Sequence, residues 1–286
     1  MPTTPGRLVR VALAISPLCA AGCFIRPPDD GNSDAGPLPE SILALNGGLA
    51  APGIPSTIAP KPVALTPKFY LRKARGSAPD CYYGIFVADP GEAGQPNNGL
   101  LLVALGDMNK INNDPAQGGQ SRSSCPSPPG YAVGGPLADD VQPGDELDVQ
   151  GALAPYCETY DTSLNQCDSD PFPEFQVSSM SKIGTATPPP PTVVDPAVIA
   201  DGSTSAVLYA ANLVMVKNVT VADPSPDAYG DFTLEEGGLW IDPLLSGVSI
   251  FVQQGSQFSS ITGVLHYQFG HWKLRPRTTS DVVAAQ

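Results

Sequence analysis

Near the end of the chain Lys273, Arg275 and Arg277 alternate with Trp272, Leu274 and Pro276, and Tyr267 lies just upstream. Basic side chains at every second position, beside aromatic rings, are the types with which a surface holds single-stranded nucleic acid. The cations neutralise phosphates and the rings stack on bases. Overall charge argues against that use: 15 basic side chains face 28 acidic ones, a net −13, and such a field repels a phosphate backbone. Alternating charge on a strand otherwise marks its solvated face. Trp272 shares the parity of Leu274, which turns it inward rather than toward a ligand. Tyr267, Trp272, Lys273, Arg275 and Arg277 therefore form a candidate ligand surface, with nucleic acid disfavoured as the ligand.

Catalytic chemistry has fewer residues to work with. The only histidines are His266 and His271, expected on the polar face of a strand and at a turn. Two imidazoles make no metal site without further ligands, which the spacing does not supply. Nucleophile-elbow, phosphate-loop, zinc-protease and dinucleotide motifs are all missing, and 28 scattered acids name no pair for acid–base hydrolysis. The expectation is a protein that does not catalyse and that needs no cofactor or metal.

Six cysteines are present. Cys81, Cys125, Cys157 and Cys167 lie in the body of the chain, an even number that favours disulfides in an oxidising compartment. No CxxC or His-containing spacing supports zinc. Of the three pairings open to four cysteines, the preferred one joins Cys81 to Cys125 and Cys157 to Cys167, restraining loops that lack structure of their own.

The elements that position these residues follow from periodicity. Residues 261–281 alternate on both sides of Gly270 and predict a β-hairpin with one buried face. Five strands are expected upstream, over 68–75, 81–88, 100–105, 145–153 and 174–183, with an unpatterned insertion over 107–143. After the prolines at 188–191 come strands over 211–221, 231–236 and 238–242, and residues 249–253 lead into the hairpin. With Gly at 29 positions and Pro at 33, the chain suits short strands joined by turns. The fold class expected is mainly β: two small barrels in tandem, 68–185 and 206–283, joined over 186–205.

Residues 1–22 begin with Arg7 and Arg10, continue through an apolar run over 11–18 and end in Ala20, Ala21 and Gly22 before Cys23. The run is too short to span a bilayer. Ala-Ala-Gly-Cys resembles the lipobox of bacterial lipoproteins, with Ala20 where leucine is usual. That resemblance implies a signal peptide over 1–22, acylation of Cys23 and an address in the bacterial envelope, at the periplasmic or outer-membrane surface. Losing Arg7 and Arg10 leaves 13 basic against 28 acidic side chains, or −15. Residues 23–67, rich in Pro, Gly, Ala and Ser, then read as a disordered tether. Asp29, Asp30 and Asp34 within it lack the distant Glu that closes a calcium loop.

The strand sequences GIFVADPG, PGDELDVQGAL and EFQVSS, followed by NLVMVKNVTV, DFTL and ITGVLHYQFGHWKLRPRTTSDVV, resemble OB-fold modules of bacterial secreted proteins, which often accompany extracellular nucleases. The resemblance implies a fold and an extracellular setting, not a reaction. The function expected is a lipid-anchored envelope protein whose OB-like modules bind or scaffold, its partner an envelope protein or a glycan. The alternative is an accessory part of an extracellular nuclease system, holding nucleic acid through the C-terminal hairpin.

Overall fold

The computed structural model describes residues 36–47, 52–73, 81–91, 95–112, 125–126, 132–154, 160–161, 166–167, 172, 174–227, 229–246 and 250–285. Residues 37–286 form one compact unit. Its first half contains β1 (Leu38–Glu40), α1 (Ile42–Asn46), β2 (Pro55–Ile58), β3 (Val63–Ala64), β4 (Phe69–Lys73), β5 (Cys81–Ala88), β6 (Gly99–Leu105), α2 (Met108–Asn112), β7 (Asp145–Leu153), β8 (Tyr160–Asp161), β9 (Gln166–Cys167) and β10 (Glu174–Thr185). Strand β3 pairs with β5, β5 with β6, β6 with β10, β10 with β7, and β7 returns to β3, so the ring closes. All these ladders are antiparallel except the parallel β6–β10 pair.

The second half repeats that plan. After β11 (Thr192–Val193) and α3 (Pro196–Ile199) come β12 (Leu213–Asp223), β13 (Phe232–Leu234), β14 (Trp240–Ile241), β15 (Gln257–Gln268), β16 (His271–Arg275) and β17 (Val282–Ala284). The order β12–β13–β14–β16–β15 closes back on β12, again with one parallel pair, β14–β16. In both halves the third strand lies beside the fifth and the fourth beside the first. The protein is mainly β, two closed five-stranded barrels of OB-like connectivity.

Inside the first barrel Tyr83, Ile85, Val87, Leu100, Leu102, Leu147, Val149 and Phe175 pack together. Val214, Val216, Phe232, Ile241, Leu265 and Leu274 fill the second. A third core lies between them: Leu65, Phe69, Leu71, Phe86, Leu101 and Val103 meet Ala210, Ala211, Leu213 and Val264. It explains why CYYGIFVA and GLLLVAL are continuous apolar runs, whereas DELDVQGAL alternates. Strands β5 and β6 are buried on both faces, β7 on one. The seam brings backbone against backbone. A Cβ placed on Gly99 would sit 2.2 Å from the carbonyl of Ala211, Asn97 N–H donates to Leu208 O at 2.6 Å, and Asn212 Nδ2 donates to Gln95 O at 2.8 Å.

Several boundaries differ from the sequence expectation. The tether drawn to residue 67 ends earlier: α1 buries Ile42 and Leu45 in the first core, and β2 and β3 pair with β7. Strands of four and two residues interrupted by prolines carry too little period to register as strands. The joint drawn over 186–205 is also part of the fold. Strand β11 pairs with β12, and Asp195 caps α3, its Oδ1 accepting from Ala197 N–H at 2.9 Å. The insertion over 107–143 contributes Ile111, Val133, Leu137 and Val141 to the first core. Its latter part is gathered around Lys68, whose buried ammonium donates to Gly134 O at 2.6 Å, Leu137 O at 2.9 Å and Asp139 Oδ1 at 2.8 Å. The chain enters β15 at Gln257, four residues before the start of the alternation at Ile261. Cys81 and Cys125 are joined as expected, whereas Cys23 and the Cys157 end of the second pairing lie outside the described residues.

Candidate functional site

The C-terminal hairpin was the strongest chemical signal in the sequence, and its turn forms at Phe269 and Gly270, with Gln268 opposite His271. Both turn residues take positive φ, 55° and 79°, the backbone that a two-residue hairpin loop requires. Glycine adopts it freely. For Phe269 it costs about 1–3 kcal/mol, yet the ring stands 67% exposed. Leu265 and Leu274 face each other inside the barrel. The alternate pairs, His266 with Lys273 and Val264 with Arg275, face outward.

That outward face is not a solvated basic stripe. Lys273 and Arg275 are 4% and 6% exposed, and each meets an acid. Lys273 Nζ donates to Asp231 Oδ2, and Arg275 Nε lies 3.1 Å from Asp242 Oδ2. Asp231 and Asp242 sit next to Phe232 and Ile241, which point inward and face each other across β13 and β14. Alternation therefore turns both carboxylates outward, onto the face that carries the cations. Arg277 is held by Asp281, with contacts of 3.0 and 2.9 Å. The expectation of Lys273, Arg275 and Arg277 as an open cationic surface is thus corrected. In a chain of net −13, these cations neutralise carboxylates on the adjoining strands and turn.

His266 is likewise not on a polar face. It is 3% exposed, its ring meeting Phe86 at 5.4 Å and Phe172 at 4.9 Å across the seam. Nδ1 accepts from Arg275 at 3.1 Å. Burial first, then Arg275, Arg72 and Lys273, push the imidazole well below its ordinary pKa, so it is neutral. On the other side of the seam Arg72 clasps Glu174 through two bonds of 2.6 and 2.7 Å. Burial outweighs that guanidinium and raises the Glu174 carboxyl.

His271 lies at the edge of the face. Its Nδ1 is 2.6 Å from Asp201 Oδ2, while Asp201 Oδ1 accepts from Trp272 N–H at 2.7 Å. Its ring stacks on Trp240 with centroids 4.2 Å apart. Asp201 follows α3, so this contact fastens the joint to the hairpin. Tyr267 and Trp272, half-buried, face each other at 5.2 Å. The structure therefore keeps the five sequence candidates on one hairpin but not on one face: Tyr267 and Trp272 share the parity of Leu265 and Leu274, whereas Lys273, Arg275 and Arg277 turn their cations toward carboxylates within the chain. Asp201, Asp231 and Asp242 escaped the sequence reading. The available signal was that Asp231 and Asp242 adjoin inward-facing apolar residues.

The first barrel carries a different kind of surface. The β6–β10 ladder ends at Val103 and Gln176, and beyond it lies a groove of about 430 Å³ lined by Pro55, Leu105, Pro136 and Val177 with the polar Gln176 and Ser178, and by no charged side chain among the described residues.

Comparison with known proteins adds little to this geometry. No protein-family model matches the chain, and none of the curated proteins does. Among solved structures it is similar to crystal structures of two variants of the single-stranded DNA binding protein from Thermus aquaticus. With a deletion mutant the identity is 11%, the TM-score 0.24, and the match covers 79% of this chain and 92% of that one. With the wild type the corresponding values are 11%, 0.23, 79% and 90%. Likeness at that TM-score carries no argument about a site; the barrel assignment rests on strand connectivity.

Proposed function

We propose that this protein is a non-catalytic envelope lipoprotein, anchored through Cys23, whose fused barrels bind or scaffold a protein or glycan partner at the bacterial cell surface. The observation that carries the reading is the fate of the hairpin's cations. A surface that held nucleic acid would present Lys273 and Arg275 to solvent, whereas here each is buried against a carboxylate. The only histidines, His266 and His271, are committed to Arg275 and Asp201. What supports a binding role is the uncharged groove beside β6 and β10, whose apolar lining suits a polypeptide or sugar-ring face better than a phosphate chain. The anchor is supported by Ala-Ala-Gly-Cys at 20–23; a stable hold on the membrane would take more than one acyl chain.

Two measurements test it. In cells fed radiolabelled palmitate, the chain is expected to take up label and sediment with membranes, and Cys23→Ala to lose both. A wild-type chain that remains unlabelled overturns the anchor. The 37–286 unit, titrated with single-stranded DNA over a salt series, is expected to show no salt-sensitive binding. Tight, salt-sensitive binding transfers the protein to the nuclease-accessory reading.

A further inference from the structure

Lys273 and Asp231 meet away from water. Lys273 lies on β16 and Asp231 immediately precedes β13, with β14 between those strands in the barrel order. The two side chains are 5% and 1% exposed. The rings of Trp240 and Phe269 stand 5.4 and 5.6 Å from the amine. Asp231 Oδ2 accepts from the amine, while Oδ1 is buried with no hydrogen-bond partner among the described residues. A carboxylate is poorly served in such a place. Burial foremost, then the charge of Asp242, raise the Asp231 carboxyl to about 6. Burial thus favours the acid form of Asp231, and an amine held against a carboxylic acid is the combination from which an amide forms.

We propose that Lys273 and Asp231 condense into an intramolecular amide, with Asp242 as proton carrier, so that the second barrel bears a covalent link between β16 and the start of β13. Lys273 passes one ammonium proton to Asp242. The freed lone pair attacks Cγ of Asp231 in its protonated form, making the N–C bond and moving the carbonyl π pair onto oxygen. A second nitrogen proton reaches the hydroxyl oxygen, which departs as water with the C–O bonding pair as the carbonyl reforms. Asp242 then returns its proton to solvent, replacing the one that had protonated Asp231. Ammonium and carboxylate thus become amide and one water, with no oxidant, cofactor or net change of charge. The fold supplies fixed contact between nucleophile and electrophile and exclusion of the water that would favour hydrolysis. Strands β13 and β14, of three and two residues, have the shortest ladders of the ring, and the amide fastens that arc to β16.

The inference is independent of the envelope reading, and its test needs no ligand. No Lys or Arg lies between Lys217 and Lys273, and Arg275 is followed by Pro276. Trypsin acting on the purified, denatured full chain therefore releases residues 218–273 if the amine is free. If it is linked, Lys273 resists cleavage, and the fragment runs over 218–277, lighter than its sequence by the mass of one water. The linked fragment is expected, with fragment ions joining Asp231 to Lys273. Asp242→Asn is expected to leave the fragment unlinked in a chain of unchanged circular dichroism. Recovery of free 218–273 at its full mass from wild-type protein, after prolonged incubation near pH 6, overturns the amide whatever the variant does. Full linkage in Asp242→Asn overturns the carrier.

Discussion

His266 shows how a single residue depends on what the fold places around it. From alternation alone it falls on the outward face of β15, which in an isolated barrel is the wet face. Here the first barrel covers that face, and the imidazole lies against Phe86 and Phe172 with Arg275, Arg72 and Lys273 nearby. Its Nδ1 already accepts from Arg275, so the atom that must take up a proton points at a guanidinium. The consequence for stability has a definite sign. The unfolded chain protonates His266 near its ordinary pKa of about 6.5, and the folded chain only well below it. Between those values the unfolded state binds more protons. The stabilisation is complete above the unfolded pKa and is lost as pH falls, by up to about 1.4 kcal/mol per pH unit. Urea denaturation of wild type and His266→Gln across pH 7.5 to 4.5 reads this directly: the gap between the two curves should narrow or invert as pH falls. A constant gap would mean that His266 is protonated in place. Glu174, raised by burial, acts oppositely, its burial penalty being relieved on acidification. Asp231 does the same only while it is a free acid; joined to Lys273 it has no proton to bind. The difference between variants, rather than the wild-type profile, therefore isolates the histidine.

At the scale of elements, legibility in the sequence tracked one-sided burial. DELDVQGAL alternates because β7 faces the barrel interior on one side and water on the other, and its bounds are those expected from the pattern. CYYGIFVA was equally legible as a strand, but its two buried faces read only as strong hydrophobicity. The identity of the covering surface, the second barrel, left no local trace. Strands β2, β3, β13 and β14 are too short to carry a period. Their pairing depends on longer partners, which explains why β2 and β3 were absorbed into the tether. The seam also rests on a residue that no periodicity marks. Gly99 opens β6 where its backbone lies against that of Ala211, and a methyl group there would fall 2.2 Å from a carbonyl that cannot rotate aside. Gly99→Ala should cost about 1–3 kcal/mol, the range for forced overpacking, through separation of the seam. The expected readout is a lower thermal midpoint, with protease sensitivity appearing first around 206–213. Unchanged stability would mean that the barrels approach less closely than 2.2 Å implies.

For the whole molecule, the question is whether two repeats of one topology behave as two domains. The sequence placed a stiff proline spacer between them, and spacers usually separate independent units. The structure instead runs β11 alongside β12 and hooks Asp201 onto the hairpin. Between the barrels Phe69, Phe86, Leu101, Leu213 and Val264 are buried. A second barrel expressed alone over 190–285 would expose Leu213 and Val264, together with His266 and an Arg275 that now lies 5.6 Å from the Phe69 ring. That is an apolar patch, which a small barrel does not readily tolerate. The 37–286 unit should accordingly melt in one calorimetric transition, with calorimetric and van't Hoff enthalpies equal, and the isolated second barrel should associate or melt well below it. Two separated transitions in the intact unit would mean that each interior core is self-sufficient and the seam is a weak contact. The third core makes the single transition the expected result, because neither barrel can lose its shape without uncovering the apolar face that the other depends on.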